Sequence, residues 1–263
     1  MMVEKGLPQP LEKRNHGLRP WMQTFLWQFA LTVMGVDLRV EGGIDPKVDS
    51  ALLAVAPHAS HLDSLALLIA LKQRAFHTTI VIKEDYWSAK TNLRHTALDM
   101  FVPAWHMLSS TPDSLKKLIR IIRRKKTDHH QDLTLLYPQG TRDNPYGEPF
   151  NRGVVSVARS SGVPIVPVVL VNNEKTLPKG ESIPLGIQKG IGRLLIGRQP
   201  EIVKFGPAID TQKIIDSGAA QSVKEKDELI MEELLLSFSI LYRELGREAP
   251  AFVNETRSSS NDV

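Results

Sequence analysis

Apolar residues in this chain fall in short unbroken runs set apart by polar stretches that carry glycine and proline. ALLAVA (51–56), TTIVI (78–82), LTLLY (133–137) and VPIVPVVLV (163–171) show no polar–apolar alternation. Strands covered on both faces have this pattern, and they belong to parallel sheets flanked by helices. Further strands are predicted at 37–41 and 201–205, with a short one at 100–102. Residues 62–74, 112–125, 154–161 and 223–245 have helical patterns. Ser110 or Thr111 can cap the second of these, Pro112 suits its first turn, and Gly162 stops the third. Residues 83–98 are mixed and partly helical. Residues 172–198, rich in Gly, Lys and Arg, yield no assignment. Pro164 and Pro167 remove ladder donors from 163–171, so that strand is expected to be bulged or close to an edge. Strands alternating with helices predict one α/β domain with a central, mostly parallel or mixed sheet flanked by helices.

Residues 21–38 (WMQTFLWQFALTVMGVDL) add an N-terminal amphipathic helical segment. Trp21, Phe25, Leu26, Phe29 and Val33 recur at helical spacing, and Trp27, Leu31 and Met34 widen the apolar surface. The segment is short and is interrupted by Gln23 and Gln28, so a bilayer span is not expected. Two readings stand: a helix packed on the domain, or one lying in a membrane interface behind Lys13, Arg14 and Arg19. Residues 1–20 do not read as a signal peptide. The expected division is 1–36 for this segment, 37–250 for the α/β domain and 251–263 for a flexible tail.

Composition changes this picture little. The chain has 263 residues with 42% apolar and 24% charged, enough for a core without staples. It has no cysteine, which excludes disulfides, a thiol nucleophile and thiolate metal sites. A net charge of +4 permits contact with anionic lipid or a phosphorylated substrate without requiring it. The densest basic run, Arg120 to Lys126, is either a solvated helix end or a phosphate contact. Aromatics are only 6% and no recognition motif accompanies the charge, which argues against nucleic acid.

Candidate chemistry sits in PHASHLD, residues 57–63, just past the 51–56 strand, where α/β folds gather their sites. Ser60 is a candidate cap for the next helix, and Asp63 near a helix start is also ordinary capping chemistry. A loop histidine folding over the first turn lets Asp63 accept the imidazole Nδ1–H. Nε2 is then left as a general base. With no GxSxG signature present, such a base acts on a substrate hydroxyl. His61 could instead complete a metal cluster with His58 and Asp63. A fifteen-residue polar loop, QGTRDNPYGEPFNRG (139–153), is long enough to expect a task.

These blocks together resemble the glycerolipid acyltransferases of the 1-acyl-glycerol-3-phosphate acyltransferase type. His58, Ser60 and Asp63 match the family's NHxSxxD block, with Pro57 in place of asparagine. YPQGTRD (137–143) matches FPEGTR, with Gln139 in place of glutamate. VPIVPVV (163–169) and KFGPAID (204–210) match later blocks in order. The GxxFIDR block has its counterpart in ALDMFVPAW (97–105), where Pro103 and Ala104 stand in place of Asp and Arg, removing a bidentate phosphate clamp.

The resemblance implies acyl transfer from acyl-CoA or an acyl carrier protein to a lipid or polyol hydroxyl, with no dedicated cofactor or metal. It implies His58 and Asp63 as the catalytic pair and Gln139, Gly140, Thr141 and Arg142 as substrate-binding residues. Backbone N–H groups around Gly140 or near the His58 loop are expected to support an oxyanion. Arg142 is expected at the thioester's phosphate, with Lys83, Lys189 and Arg193 behind it. Residues 62–71 and 163–171 could line an acyl slot, where burial gives about 0.8 kcal/mol per methylene. Tyr146 and Glu148 could face the acceptor. His129 and His130 read as surface residues, and Gly153 as a backbone requirement. The expected location is the cytoplasmic face of a membrane, peripheral or monotopic. Alternatives are a glycolipid or specialised-metabolite O-acyltransferase, a metal-dependent hydrolase, and a non-catalytic lipid-binding protein.

Overall fold

The computed structural model describes residues 13–14, 20–45, 47–60, 62–72, 77–83, 104–108, 112–127, 132–140, 144–178 and 180–253. Its strands are β1 (Lys13–Arg14), β2 (Val36–Glu41), β3 (Ser50–Ala56), β4 (His77–Lys83), β5 (Ala104–Leu108), β6 (Asp132–Leu136), β7 (Ile165–Val171) and β8 (Gln199–Phe205). Its α-helices are α1 (Pro20–Val33), α2 (Asp63–Lys72), α3 (Pro112–Thr127), α4 (Gly153–Ser161), α5 (Ile183–Ile196), α6 (Thr211–Asp216) and α7 (Val223–Glu244). Among the described residues the eight strands form one mixed sheet in the order β1-β5-β4-β6-β3-β7-β8-β2. The five strands from β5 to β7 are mutually parallel. β8 runs antiparallel to β7, β2 parallel to β8, and β1 antiparallel to β5.

The unbroken apolar runs follow from this placement. β3 lies between β6 and β7, and every one of its residues is buried. Leu53 and Val55 enter one core with α1 and α2, whereas Leu52, Ala54 and Ala56 enter a second core with α3, α4 and α7. β7 divides in the same way: Val166, Val168 and Leu170 face the first core, Ile165, Val169 and Val171 the second. A strand covered on both faces leaves little room for polar side chains, and the one β3 carries, Ser50 at its start, donates its hydroxyl to Asp132 O at 3.2 Å.

β7 is two strands in from the nearer sheet edge, so the edge alternative for its prolines does not hold; the bulge does. Pairing runs from Ile165/Ile209 to Val168/Phe205, three residues on one side against four on the other. Pro167 sits in that step, and its carbonyl accepts from Gly206 N at 2.9 Å. The irregular pairing there tolerates the missing N–H.

Several expected boundaries shift. The 100–102 strand and the 83–98 segment lie almost wholly outside the described residues, and a strand is found at β5 instead. Residues 172–198, unassigned from pattern, contain a 3₁₀ turn (Asn173–Lys175) and α5. α6 was also not anticipated; Asp210 caps it by accepting from Lys213 N at 3.0 Å. α7 starts with a capping box between Ser222 and Glu225. The 251–263 tail begins too early, because Phe252 and Val253 are buried. Phe252 stacks on Phe150 and meets Phe238 edge-on, so an aromatic cluster holds the chain at least to Val253.

The N-terminal segment packs on the domain, as the first of its two readings has it. Trp27, Leu31 and Met34 are buried in the first core, while Phe25 and Phe29 on the other side of α1 are exposed. α5 crosses the end of α1 closely: a Cβ at Gly190 would lie 2.1 Å from Val33 O. Only glycine permits that approach.

Candidate active site

Three adjacent parallel strands, β6, β3 and β7, deliver the site from their carboxyl ends. β6 is followed by Tyr137 and Gln139, β3 by His58, and β7 by Asn173. Crevices of this kind are where open α/β sheets place their chemistry.

Asp63, the first residue of α2, is the hub and is fully buried. Its Oδ2 accepts from Ala59 N at 2.9 Å, from Ser60 N at 3.0 Å and from the His58 imidazole Nδ1 at 2.8 Å. Its Oδ1 accepts from Asn173 Nδ2 at 2.9 Å. The Asn173 amide also donates to Pro57 O at 3.3 Å, tying β7's end to the His58 loop. Backbone N–H groups can only donate, so Asp63 is held as an acceptor, and the His58 bond requires Nδ1 to carry its proton. Ser60 plays a different part from the expected cap. Its hydroxyl donates to Leu177 O at 3.1 Å and accepts from Leu62 N at 3.1 Å.

The His58 ring is fixed on its face as well as its edge. It stacks on Tyr137 with centroids 3.7 Å apart and planes 16° from parallel. The Tyr137 hydroxyl is 2.8 Å from Ser64 Oγ on α2. The His58 side chain remains 18% exposed. No hydrogen bond to Nε2 is found among the described residues, so this nitrogen is presented outward. The sequence pattern had brought His58 and Asp63 together correctly.

Gln139 is buried, and its described hydrogen bonds all go to backbone. Oε1 accepts from His58 N at 3.3 Å. Nε2 donates to Pro145 O at 2.6 Å and Glu148 O at 3.1 Å. The amide therefore braces the His58 loop against the polar loop after β6, a position unlike the substrate contact expected of it. Gly140 adopts φ +68°, and its amide donates to Tyr137 O at 3.0 Å. That bond occupies the donor expected to meet an oxyanion. The amides of His58, Ala59 and Ser60 are likewise engaged. Thr141 and Arg142 lie outside the described residues, as do His61, His129, His130 and Pro103. Among the described residues no group of three or more His, Cys, Asp or Glu side chains could hold a metal.

Two of the cations expected behind Arg142 have other partners, and the Lys83 side chain lies outside the described residues. Lys189 pairs with Glu181, and Arg193 donates to Met34 O at 3.2 Å and to Lys175 O at 2.5 Å. Of the basic run, Arg123 donates to Ser160 O at 2.9 Å and so joins α3 to α4. Tyr146 donates to Glu174 at 2.8 Å; burial, then this partner, push its hydroxyl pKa up.

Pattern reading missed Asn173, Tyr137 and Glu201 as parts of the site's support. Asn172–Asn173 directly after an apolar strand was the available signal for the first. Glu201 gave none, since it sits inside an alternating strand. It is fully buried on β8, where its Oε2 accepts from Thr176 Oγ1 at 3.2 Å. Burial, then the negative charge of Asp63, push the Glu201 carboxyl from 4.5 up to about 8.

With this geometry in hand, comparison with known proteins is direct. The sequence profile of the Acyltransferase family matches residues 37–171, a stretch that runs from β2 to the end of β7 and includes His58 and Asp63. The chain belongs to this family, in its glycerolipid, lysophosphatidate-acyltransferase-like branch. It is 29% identical over 142 residues to lysophosphatidylcholine acyltransferase 2 of Danio rerio, covering 53% of this chain. It is 27% identical over 139 residues to the chloroplastic 1-acyl-sn-glycerol-3-phosphate acyltransferase BAT2 of Brassica napus, covering 51% of this chain. The matched stretch spans only 25% and 37% of those relatives' own lengths. The crystal structure of the 1-acyl-sn-glycerophosphate acyltransferase PlsC from Thermotoga maritima shares the fold. It has a TM-score of 0.50 and 17% identity, over 81% of this chain and 76% of that one.

Two outcomes follow from the site's support. Gln139→Glu places a carboxylate against the Pro145 and Glu148 carbonyls. It should lower stability by about 1–3 kcal/mol and lower turnover with it; urea midpoints and rates measured together check this, and a gain in both contradicts it. Glu201 keeps a proton in the folded state that the unfolded chain releases above about pH 4.5. Its contribution to stability is therefore full below that pH and is lost as pH rises toward 8. Glu201→Gln should remove this slope and gain about 3 kcal/mol over the parent at pH 7, at about 1.4 kcal/mol per pKa unit. Denaturation at pH 5 and pH 8 measures it, and equal slopes in both proteins would refute it.

Proposed function

We infer that the protein is an O-acyltransferase that moves a fatty acyl group from acyl-CoA, or an acyl carrier protein, to the hydroxyl of a lipid acceptor. One observation carries the reading: the 2.8 Å bond from His58 Nδ1 to a buried Asp63, with the ring's other nitrogen facing out. Asp63 holds the Nδ1 proton and so leaves the Nε2 lone pair for the acceptor alcohol. As Nε2 takes the hydroxyl proton, the oxygen attacks the thioester carbonyl. The tetrahedral oxyanion then collapses, the carbon–sulfur bond breaks, and the imidazolium returns its proton to the departing thiolate. The Asp63 charge steadies the imidazolium between those events. In this reading the catalytic domain starts at residue 37 and extends at least to Val253.

Arg142 is assigned to the phosphate of the thioester donor, and Thr141 to the same loop's substrate contacts. The acceptor assigned is a lysophospholipid hydroxyl, by likeness to the lysophosphatidylcholine and 1-acyl-sn-glycerol-3-phosphate acyltransferases it resembles. A glycolipid or other polyol acceptor is the second reading, and it is favoured by Pro103 and Ala104 where the family's Asp and its phosphate-binding Arg are expected. A peripheral or monotopic position on the membrane follows from either acceptor, because the acylated product is a lipid.

Free-thiol release from a long-chain acyl-CoA, with lysophosphatidate, lysophosphatidylcholine or a neutral polyol lipid as acceptor, tests the reading. His58→Ala should lose about 10²–10⁴-fold in turnover while its urea midpoint stays near the parent's. Acceptor-dependent release that survives unchanged in that variant removes His58 from the chemistry.

A further inference from the structure

Large apolar side chains are unevenly distributed over the described surface. Of the eleven that are exposed, seven lie on α1 and α5, including Phe25, Phe29, Ile191, Leu194, Leu195 and Ile196. Leu195 is 83% exposed and Ile196 89%, so neither contributes to the core. Solvated single hydrophobics need no explanation, but a cluster at one helix end does.

Charge on the two helices is equally one-sided. α1 has no ionisable residue, and residues 183–198 contain Lys189, Arg193 and Arg198 without a single acid. The helices form one unit: Gly190 lies against Val33 and Met34, and Arg193 donates to Met34 O. No described helix is long and apolar enough to cross a membrane. Fourteen residues make a helix of about 21 Å, short of the roughly 30 Å hydrocarbon core. The segment entering α5 is also tied to the reacting loop, because Ser60 bridges Pro178 and donates to Leu177 O.

We propose that α5, together with the exposed side of α1, is a docking surface for the interfacial zone of an anionic lipid bilayer. Leu194, Leu195 and Ile196 enter the acyl boundary, and Arg198, next to them and not engaged as Lys189 is with Glu181, meets lipid phosphates. A second copy of the chain fits this surface poorly, since a two-fold contact would set the Arg193 and Arg198 cations of the two copies near one another. The surface deepens the lipid-acceptor reading and rests on it: docking would hold the His58 loop near the phase in which acceptor and product reside.

The test is sedimentation with phosphatidylcholine vesicles that contain phosphatidylglycerol. The full chain should pellet with them, and Leu195→Asp/Ile196→Asp should weaken binding at least tenfold with an unchanged urea midpoint. Leu236→Asp/Ile240→Asp, which alters comparably apolar exposed positions on α7, should bind as the parent does. The surface is refuted if the parent does not bind, if both double variants bind equally, or if the parent is a dimer that Leu195→Asp/Ile196→Asp splits. Transfer in detergent micelles keeps the two readings separable. Leu195→Asp/Ile196→Asp should retain that activity, whereas His58→Ala should retain vesicle binding and lose it. Lost docking with intact transfer sinks only the surface; absent transfer with intact docking sinks only the chemistry.

Discussion

A fully buried carboxylate, Asp63, holds the site together, and its burial is tolerable only because four donors converge on it. Two of these are backbone amides of the loop it follows, so the group orders its own approach segment. The third is the imidazole it orients. The fourth, Asn173, reaches it from a residue 110 positions away. An isolated carboxylate in such a place would be strongly disfavoured, whereas one accepting several N–H bonds is well accommodated. The position of the histidine thus depends on both the local turn and the pairing of β3 with β7.

The sheet makes that convergence reproducible. Because β6, β3 and β7 are adjacent and parallel, their following loops meet at one end. Gln139 completes the arrangement from the β6 side by accepting from the His58 amide while its own amide holds the polar loop. A carboxylate in its place has no hydrogens for the Pro145 and Glu148 carbonyls. The amide found here therefore suits its surroundings, although the family pattern carries an acid. Tyr137 supplies the remaining constraint by stacking against the ring and fixing its plane.

Much of the fold was readable because full burial on both faces gives a simple pattern. ALLAVA, LTLLY and VPIVPVVLV announce themselves as interior strands, and His58 to Asp63 is a local spacing that a helix start naturally closes. What stayed hidden depends on partners distant in the chain. Asn173 acquires its role only once β7 lies beside β3, and Gln139 only once the loop folds back under it. Glu201 looks like any polar residue in an alternating strand; it is buried because its face of β8 joins the first core, against α2. α5 escaped notice for a different reason: its exposed end breaks the amphipathic pattern by which helices are recognised.

Nitrogen-15 NMR of histidine-labelled protein reads the central claim directly, because the two imidazole nitrogens report separately where the proton resides. With its ring neutral, His58 should carry the proton on Nδ1, bonded toward Asp63, and show an unprotonated Nε2. A neutral ring protonated on Nε2, with Nδ1 as the bare nitrogen, would contradict the account: the base would then face the carboxylate and not the substrate.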